Sequence, residues 1–279
     1  MKIYHVEAGM LATNCYFAVN ETIGEGVIFD PGGDCPTIMR MIEQAKAKVV
    51  AIVLTHGHSD HIGALAELRK ATGAPVYIGE DDADCLTQPN RNLSFFIGEE
   101  LKNEPADHLV HDGDVLELAG MKFEAFATPG HTKGGFCYYY APGKVVFAGD
   151  TIFCESIGRT DLPGGSYSAI IKSIKAKLMV LDDDVKLLPG HGPTTTVESD
   201  GKSGMVDGSL SMLSKSWILD LAANAGSFCR NSFICPKSGR MMKPIIITIK
   251  IQKASNARII ATTRDSLIMP VLDDDVKLL

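Results

Sequence analysis

The chain has 279 residues, 45% of them hydrophobic, and a formal net charge of −7, which is enough to bury one large core or two smaller ones. No stretch reaches the roughly 20 uninterrupted apolar residues of a membrane span, and Met1-Lys2-Ile3-Tyr4-His5-Val6-Glu7 alternates like a strand rather than a secretory signal, so a cytoplasmic protein is expected. Residues 1–198 carry 16 Lys and Arg against 27 Asp and Glu, whereas residues 199–279 carry 11 against 7; an acidic body of this kind argues against nucleic acid, whose phosphates are bound by clustered Lys and Arg. Seven cysteines with no Cys-Xaa-Xaa-Cys pair fit reduced thiols rather than a disulfide framework.

Short apolar runs alternate with helical patterns along the first two thirds. Residues 26–30 read as a buried strand entering the turn Pro31-Gly32-Gly33, and residues 35–47 as a helix. The apolar run at residues 49–54 reads as a strand that delivers Thr55-His56-Gly57-His58-Ser59-Asp60-His61. A strand period continued through this cluster sends His56, His58 and Asp60 to one side, with His61 swung round by a turn. Helices are expected at residues 62–72 and 166–181, and strands at residues 121–128, 136–140 and 144–148. Beyond Val197 the polar stretch 198–204 reads as a linker, which divides the chain into a body of residues 1–198 and a basic extension of residues 199–279. In the extension, residues 210–225 look helical around Trp217, and residues 245–251 are strongly strand-forming. Residues 271–279 repeat residues 180–188 without the histidine motif that follows the first copy, so the repeat supplies no second site.

Five of the eight histidines fall in three short motifs: the cluster, Thr128-Pro129-Gly130-His131-Thr132, and Pro189-Gly190-His191-Gly192-Pro193. A lone histidine beside glycine and proline is ordinarily a turn residue. Three imidazoles and a carboxylate within six residues are different, because each such group left buried and unpaired costs about 1–3 kcal/mol. A divalent metal removes that penalty, and imidazole with carboxylate is a set that zinc, iron and manganese accept. Val145-Val146-Phe147-Ala148-Gly149-Asp150 ends on another carboxylate; alone it reads as a turn or cap aspartate. Arg159 alone reads as a salt-bridging arginine, and Cys154 as a small buried hydrophobe.

Taken in order, His56, His58, Asp60, His61, His131, Asp150 and His191 resemble the ligand series of the metallo-β-lactamase-fold superfamily. Phe29-Asp30-Pro31-Gly32-Gly33 and Gly158-Arg159-Thr160-Asp161-Leu162-Pro163-Gly164-Gly165 resemble its branch of small glyoxalase II-like hydrolases, over roughly residues 1–196. The resemblance implies an α/β fold, an αββα sandwich of two mixed β-sheets flanked by helices, here with an atypical C-terminal extension. It implies two divalent metal ions, zinc foremost with iron and manganese as alternatives, one held by His56, His58 and His131 and the other by Asp60, His61 and His191. Asp150 would bridge them. The implied activity is hydrolysis of a small-molecule thioester, such as hydroxyacylglutathione, by a hydroxide shared between the metals, with Asp60 a ligand and proton acceptor and Arg159 a substrate contact. No helical domain carrying further glutathione contacts is recognisable after residue 198. Two other readings remain at this stage: a mononuclear iron persulfide dioxygenase holding its metal at His56, His131 and Asp150, and a non-catalytic metal-bound module.

Overall fold

A computed structural model describes residues 1–97, 100–202, 248–251 and 259–262. The chain divides into two compact units, Met1–Ser211 and Met212–Leu279.

The first unit contains two six-stranded sheets. In the first, β1 (Lys2–Ala8), β2 (Thr13–Asn20), β3 (Glu25–Phe29), β4 (Lys48–Val53), β5 (Val76–Gly79) and β6 (His108–Val110) lie side by side in chain order. The β1–β2 and β2–β3 pairs are antiparallel, and the remaining pairs are parallel. The second is built from β7 (Val115–Leu118), β8 (Met121–Ala127), β9 (Phe136–Tyr140) and β10 (Val145–Gly149), with β13 (Lys186–Pro189) and β14 (Thr195–Thr196) beyond β10. Only β10–β13 is parallel here, so both sheets are mixed. A small hairpin, β11 (Ile152–Phe153) and β12 (Ser156–Ile157), follows β10.

Strand alternation sorts the apolar residues into three layers. Tyr16, Ala18, Val27, Phe29, Phe123, Ala125, Tyr138 and Phe147 point between the sheets, where the Phe29 and Phe147 rings stack with centroids 3.9 Å apart. Phe17, Ile28, Ile52 and Leu54 face outward and are covered by α1 (Cys35–Ala45) and α3 (Leu65–Thr72) through Ile38, Met41, Leu65 and Leu68. On the far side Val146, Ala148 and Leu187 meet Ile170, Ile174 and Leu178 from α4 (Tyr167–Ser173) and the π-helical turn Ile174–Leu178 that continues it. The result is the αββα sandwich. Local chemistry sets the helix ends: Asp34 accepts from Thr37 N at the start of α1, and Gly73 takes the left-handed conformation that closes α3.

Three expectations need correction. The strand period stops at Val53, and Ser59–Ile62 forms a helical turn, α2, so Asp60 leaves the side taken by His56 and His58. The helix expected at residues 62–72 begins as α3 only at Leu65. Residues expected to open a linker instead form α5 (Val197–Lys202), because Val197 is buried, Ser199 N donates to Thr196 Oγ1 and Asp200 Oδ1 accepts from Glu155 N at 3.0 Å. The expected division at residue 198 therefore falls inside a helix.

Of the second unit, β15 (Thr248–Ile251) and β16 (Ile259–Thr262) are described and pair antiparallel; β15 lies within the strand-forming run 245–251. The expected helix at 210–225 and the repeated segment 271–279 lie outside the described residues.

Candidate metal centre

All three histidine motifs and Asp150 leave the C-terminal ends of strands: the cluster follows β4 of the first sheet, and His131, Asp150 and His191 follow β8, β10 and β13 of the second. One edge of the sandwich thus gathers seven side chains from four loops. Three sets could each hold a metal ion: His56 with His58 and His131; Asp60 with His61 and His191; and His56 with His61 and Asp150. Within the first set, His58 Nδ1 lies 3.1 Å from His56 Nε2 and 2.9 Å from His131 Nε2. Within the second, His191 Nε2 lies 3.1 Å from Asp60 Oδ2 and His61 Nε2 lies 3.8 Å from the same oxygen. Asp150 stands between them, Oδ1 3.3 Å from His61 Nε2 and Oδ2 3.6 Å from His131 and 3.8 Å from His191. The centre is closed on the His56 side, where His56, His58 and His131 are buried, and opens where the His191 side chain is 27% exposed.

Surrounding acceptors fix the imidazole tautomers, and that arrangement tests whether a metal fits. His131 Nδ1 faces Arg159 O at 2.8 Å and His191 Nδ1 faces Leu11 O at 3.2 Å, so both carry the proton on Nδ1. Thr55 Oγ1 gives its proton to Asp30 Oδ2 at 2.7 Å and is left to accept from His56 Nδ1 at 3.2 Å. His61 Nδ1 lies 3.0 Å from Asp30 Oδ2, in ion-pair reach without hydrogen-bond alignment. The Nε2 atoms of His56, His131 and His191 therefore turn a lone pair inward, toward His58 Nδ1 or carboxylate oxygens. Among the described residues, His61 Nε2 and Asp150 Oδ1, 3.3 Å apart, are buried without an aligned hydrogen-bond partner. Facing lone pairs repel, and a cation among them turns that repulsion into ligation. The residues fit a divalent metal.

Electrostatics point the same way. Burial opposes protonation of His61, yet Asp150, Asp30 and Asp60 raise its pKa well above 6.5; His191 is raised likewise by Asp60 and Asp150 against its burial. Burial also works to raise Asp60 and Asp150, but His61 and the neighbouring histidines bring both below the usual carboxylate range. His56 and His58 go the other way, driven down by burial and by their neighbours, His58 to about 3. One half is thus built to stay neutral, and the other draws in positive charge.

Arg159 is placed differently from a free substrate clamp. Its guanidinium makes two hydrogen bonds of 2.8 Å to Asp161, and its carbonyl is what orients His131. Three residues outside the motifs also shape the centre. Asp30, at φ 50° just past β3, accepts from Thr55 N at 2.8 Å and faces His61. Asp82 accepts from Gly57 N at 3.1 Å and Gly134 N at 2.9 Å, tying the first cluster to the His131 loop, and burial raises its pKa. Asn14 reaches the His191 loop. Asp82 was hidden in the run Glu80-Asp81-Asp82-Ala83-Asp84, which reads as solvated; Asn14 had a signal, an amide inside the apolar run Thr13-Asn14-Cys15-Tyr16-Phe17.

A two-sheet sandwich with an imidazole and carboxylate centre on its strand-end edge defines a class of metal-dependent proteins. The profile described as the metallo-beta-lactamase superfamily matches residues 8–191. The probable metallo-hydrolase YqgX of Bacillus subtilis is 37% identical over 198 residues, covering 71% of this chain and 93% of that protein. The hydroxyacylglutathione hydrolase GloC of Haemophilus influenzae is 34% identical over 186 residues, covering 63% and 84%. Among solved structures, the BLEG-1 B3 metallo-beta-lactamase has a TM-score of 0.69 at 36% identity, covering 71% and 96%, and TTHA1623 in a di-iron-bound form has 0.64 at 31%, covering 72% and 98%. The chain belongs to the metallo-beta-lactamase superfamily and to its metallo-hydrolases.

Proposed function

We propose that the protein is a binuclear metal-dependent thioesterase acting on small acyl thioesters of the hydroxyacylglutathione kind. The observation that carries this reading is the approach of His191 to Asp60, which builds a second ligand set beside that of His56, His58 and His131, with Asp150 between the two. Bound there, divalent ions would acidify water and polarise a carbonyl, which supplies nucleophile and electrophile without a serine or cysteine. His56, His58 and His131 would hold one ion, and Asp60, His61 and His191 would hold the other. Asp60 is the proton acceptor, since its carboxylate is kept ionised and its side chain is 20% exposed on the open side. Arg159, oriented by Asp161 with its side chain 55% exposed, meets a carboxylate of the thiol carrier. The relation to GloC supports the substrate class, and the di-iron relative supports two metals, with zinc, iron and manganese all suited to this donor set.

The test is metal content per chain with hydrolysis of lactoylglutathione, on the protein and on His191→Ala. Two metals, and thioesterase activity that His191→Ala abolishes, are expected. One iron per chain, oxygen uptake with a persulfide and indifference to His191 would transfer the assignment to a dioxygenase using His56, His131 and Asp150.

A further inference from the structure

We propose that Asn14 is a positioning residue for the His191 half of the metal centre, holding from the first sheet the loop that brings His191 to Asp60; this rests on the two-metal reading above. Asn14 lies at the start of β2, 1% exposed, in a strand otherwise given to the core. Its Nδ2 donates to Pro189 O and to Gly192 O, both at 2.9 Å, so one amide grips the loop on either side of Gly190 and His191. Its backbone N donates to Gly190 O at 2.7 Å, and Tyr16 OH donates to Pro189 O at 2.8 Å. With both amide protons spent on carbonyls, Oδ1 is left to accept from His5 Nε2 at 2.7 Å, and the His5 ring stacks on Tyr16.

The side chain matches its setting in a way few others would. Two carbonyl oxygens and one N–H surround it, which calls for two donors and one acceptor without charge. Aspartate offers no donor and would set a carboxylate against two carbonyls; alanine leaves both carbonyls unpaired. β2 and β13 belong to different sheets, and these bonds, together with those from Tyr16 OH to Pro189 O and between His191 Nδ1 and Leu11 O, bind the His191 loop to the first sheet, where Asp60 and His61 follow β4. None of these groups touches the first ligand set, so Asn14 should act on one half of the centre. Outer-shell partners of metal ligands are typically worth roughly 10- to 100-fold in metal affinity.

The experiment is titration of the metal-free full chain with Co(II), followed by visible absorption, for the protein, Asn14→Ala, Asn14→Asp and His5→Ala. Two equivalents are expected for the unaltered chain. Asn14→Ala and Asn14→Asp should bind the first as tightly as the unaltered chain and the second roughly 10- to 100-fold more weakly, with a changed absorption spectrum for the second only. His5→Ala, a surface change that frees the Asn14 amide to turn, should weaken the second equivalent to a smaller degree, and it carries the test if the Asn14 variants do not fold. An unchanged second equivalent overturns the proposal, as does equal weakening of both, which would mark a general role in stability. A single equivalent in the unaltered chain would defeat the two-metal reading itself, and this inference with it.

Discussion

Asp30 illustrates how far a site is set by residues that bear no ligand atom toward the metal. It accepts the Thr55 backbone N–H and hydroxyl, and its Oδ2 lies against His61 Nδ1, so one carboxylate orients both the first and the last histidine of the cluster. Asp30→Asn preserves size but offers an amide N–H where the network requires an acceptor. Metal affinity, read by competition with a chelator, should fall roughly 10- to 100-fold; an unchanged affinity would show that the ligands hold their tautomers unaided. The two halves should also differ in their response to acid. His61 and His191 have pKa values raised by carboxylates, whereas His56 and His58 are depressed by burial. A raised pKa means that a proton competes with metal at a higher pH, so acidification should empty the His61 and His191 side before the His56 and His58 side. Equilibrium dialysis against fixed free metal between pH 7.5 and 5 checks this: a step to one metal per chain is expected, and simultaneous loss contradicts it. The cluster of His56, His58, Asp60 and His61 was legible from residue type and spacing, whereas His131, Asp150 and His191 joined it through the resemblance to the superfamily's ligand series. Asp82 was not legible, and for Asn14 the sequence shows an amide inside an apolar run but not its role, because the partners of both are backbone groups of loops that approach only in the folded chain.

At the scale of elements, the loops after β4, β8, β10 and β13 meet because glycines let them approach. A Cβ on Gly190 would overlap Asp150 Oδ1 and His61 Cε1, so the chain behind His191 lies directly on two ligands. Gly190→Ala should therefore displace Asp150 or His61 and reduce metal stoichiometry, with the hydrophobic layers and the far-UV spectrum unchanged. Retention of two metals would mean that the loop can retreat freely. Strands were read well where they carry core residues: 136–140 and β9 coincide, because Phe136-Cys137-Tyr138 face both apolar layers in alternation. The reading failed where backbone geometry changes without a change in composition. The helical turn Ser59–Ile62 carries the same polar residues that a continued strand would, and backbone hydrogen bonds that composition does not reveal, from His61 N to His58 O at 3.0 Å and from Ser59 N to Asn92 O at 2.8 Å, accompany that form.

For the whole chain, the open question is how much of it the metal centre needs. Every residue placed in the centre precedes α5, and that helix is bound to the centre's own surroundings. Val197 is 3% exposed and its N–H donates to Val185 O, Glu198 N donates to Asp183 O, and Asp200 Oδ1 accepts from Glu155 N, in the turn between β11 and β12 that links Asp150 to Arg159. The polar stretch after Val197 looked like a linker because composition alone does not reveal those partners. A chain ended after Lys202 should keep two metals and the melting temperature of its first unit. One ended after Thr196 forgoes the burial of Val197 and several hydrogen bonds, about 3 kcal/mol in all, which corresponds to a fall in Tm on the order of 5–10 °C for a body of this size. Calorimetry of the two shortened chains beside the full one decides the matter. Equal Tm values for both would detach α5 from the folded body, and loss of metal from the chain ending at Lys202 would show that residues 203–279 contribute to the centre.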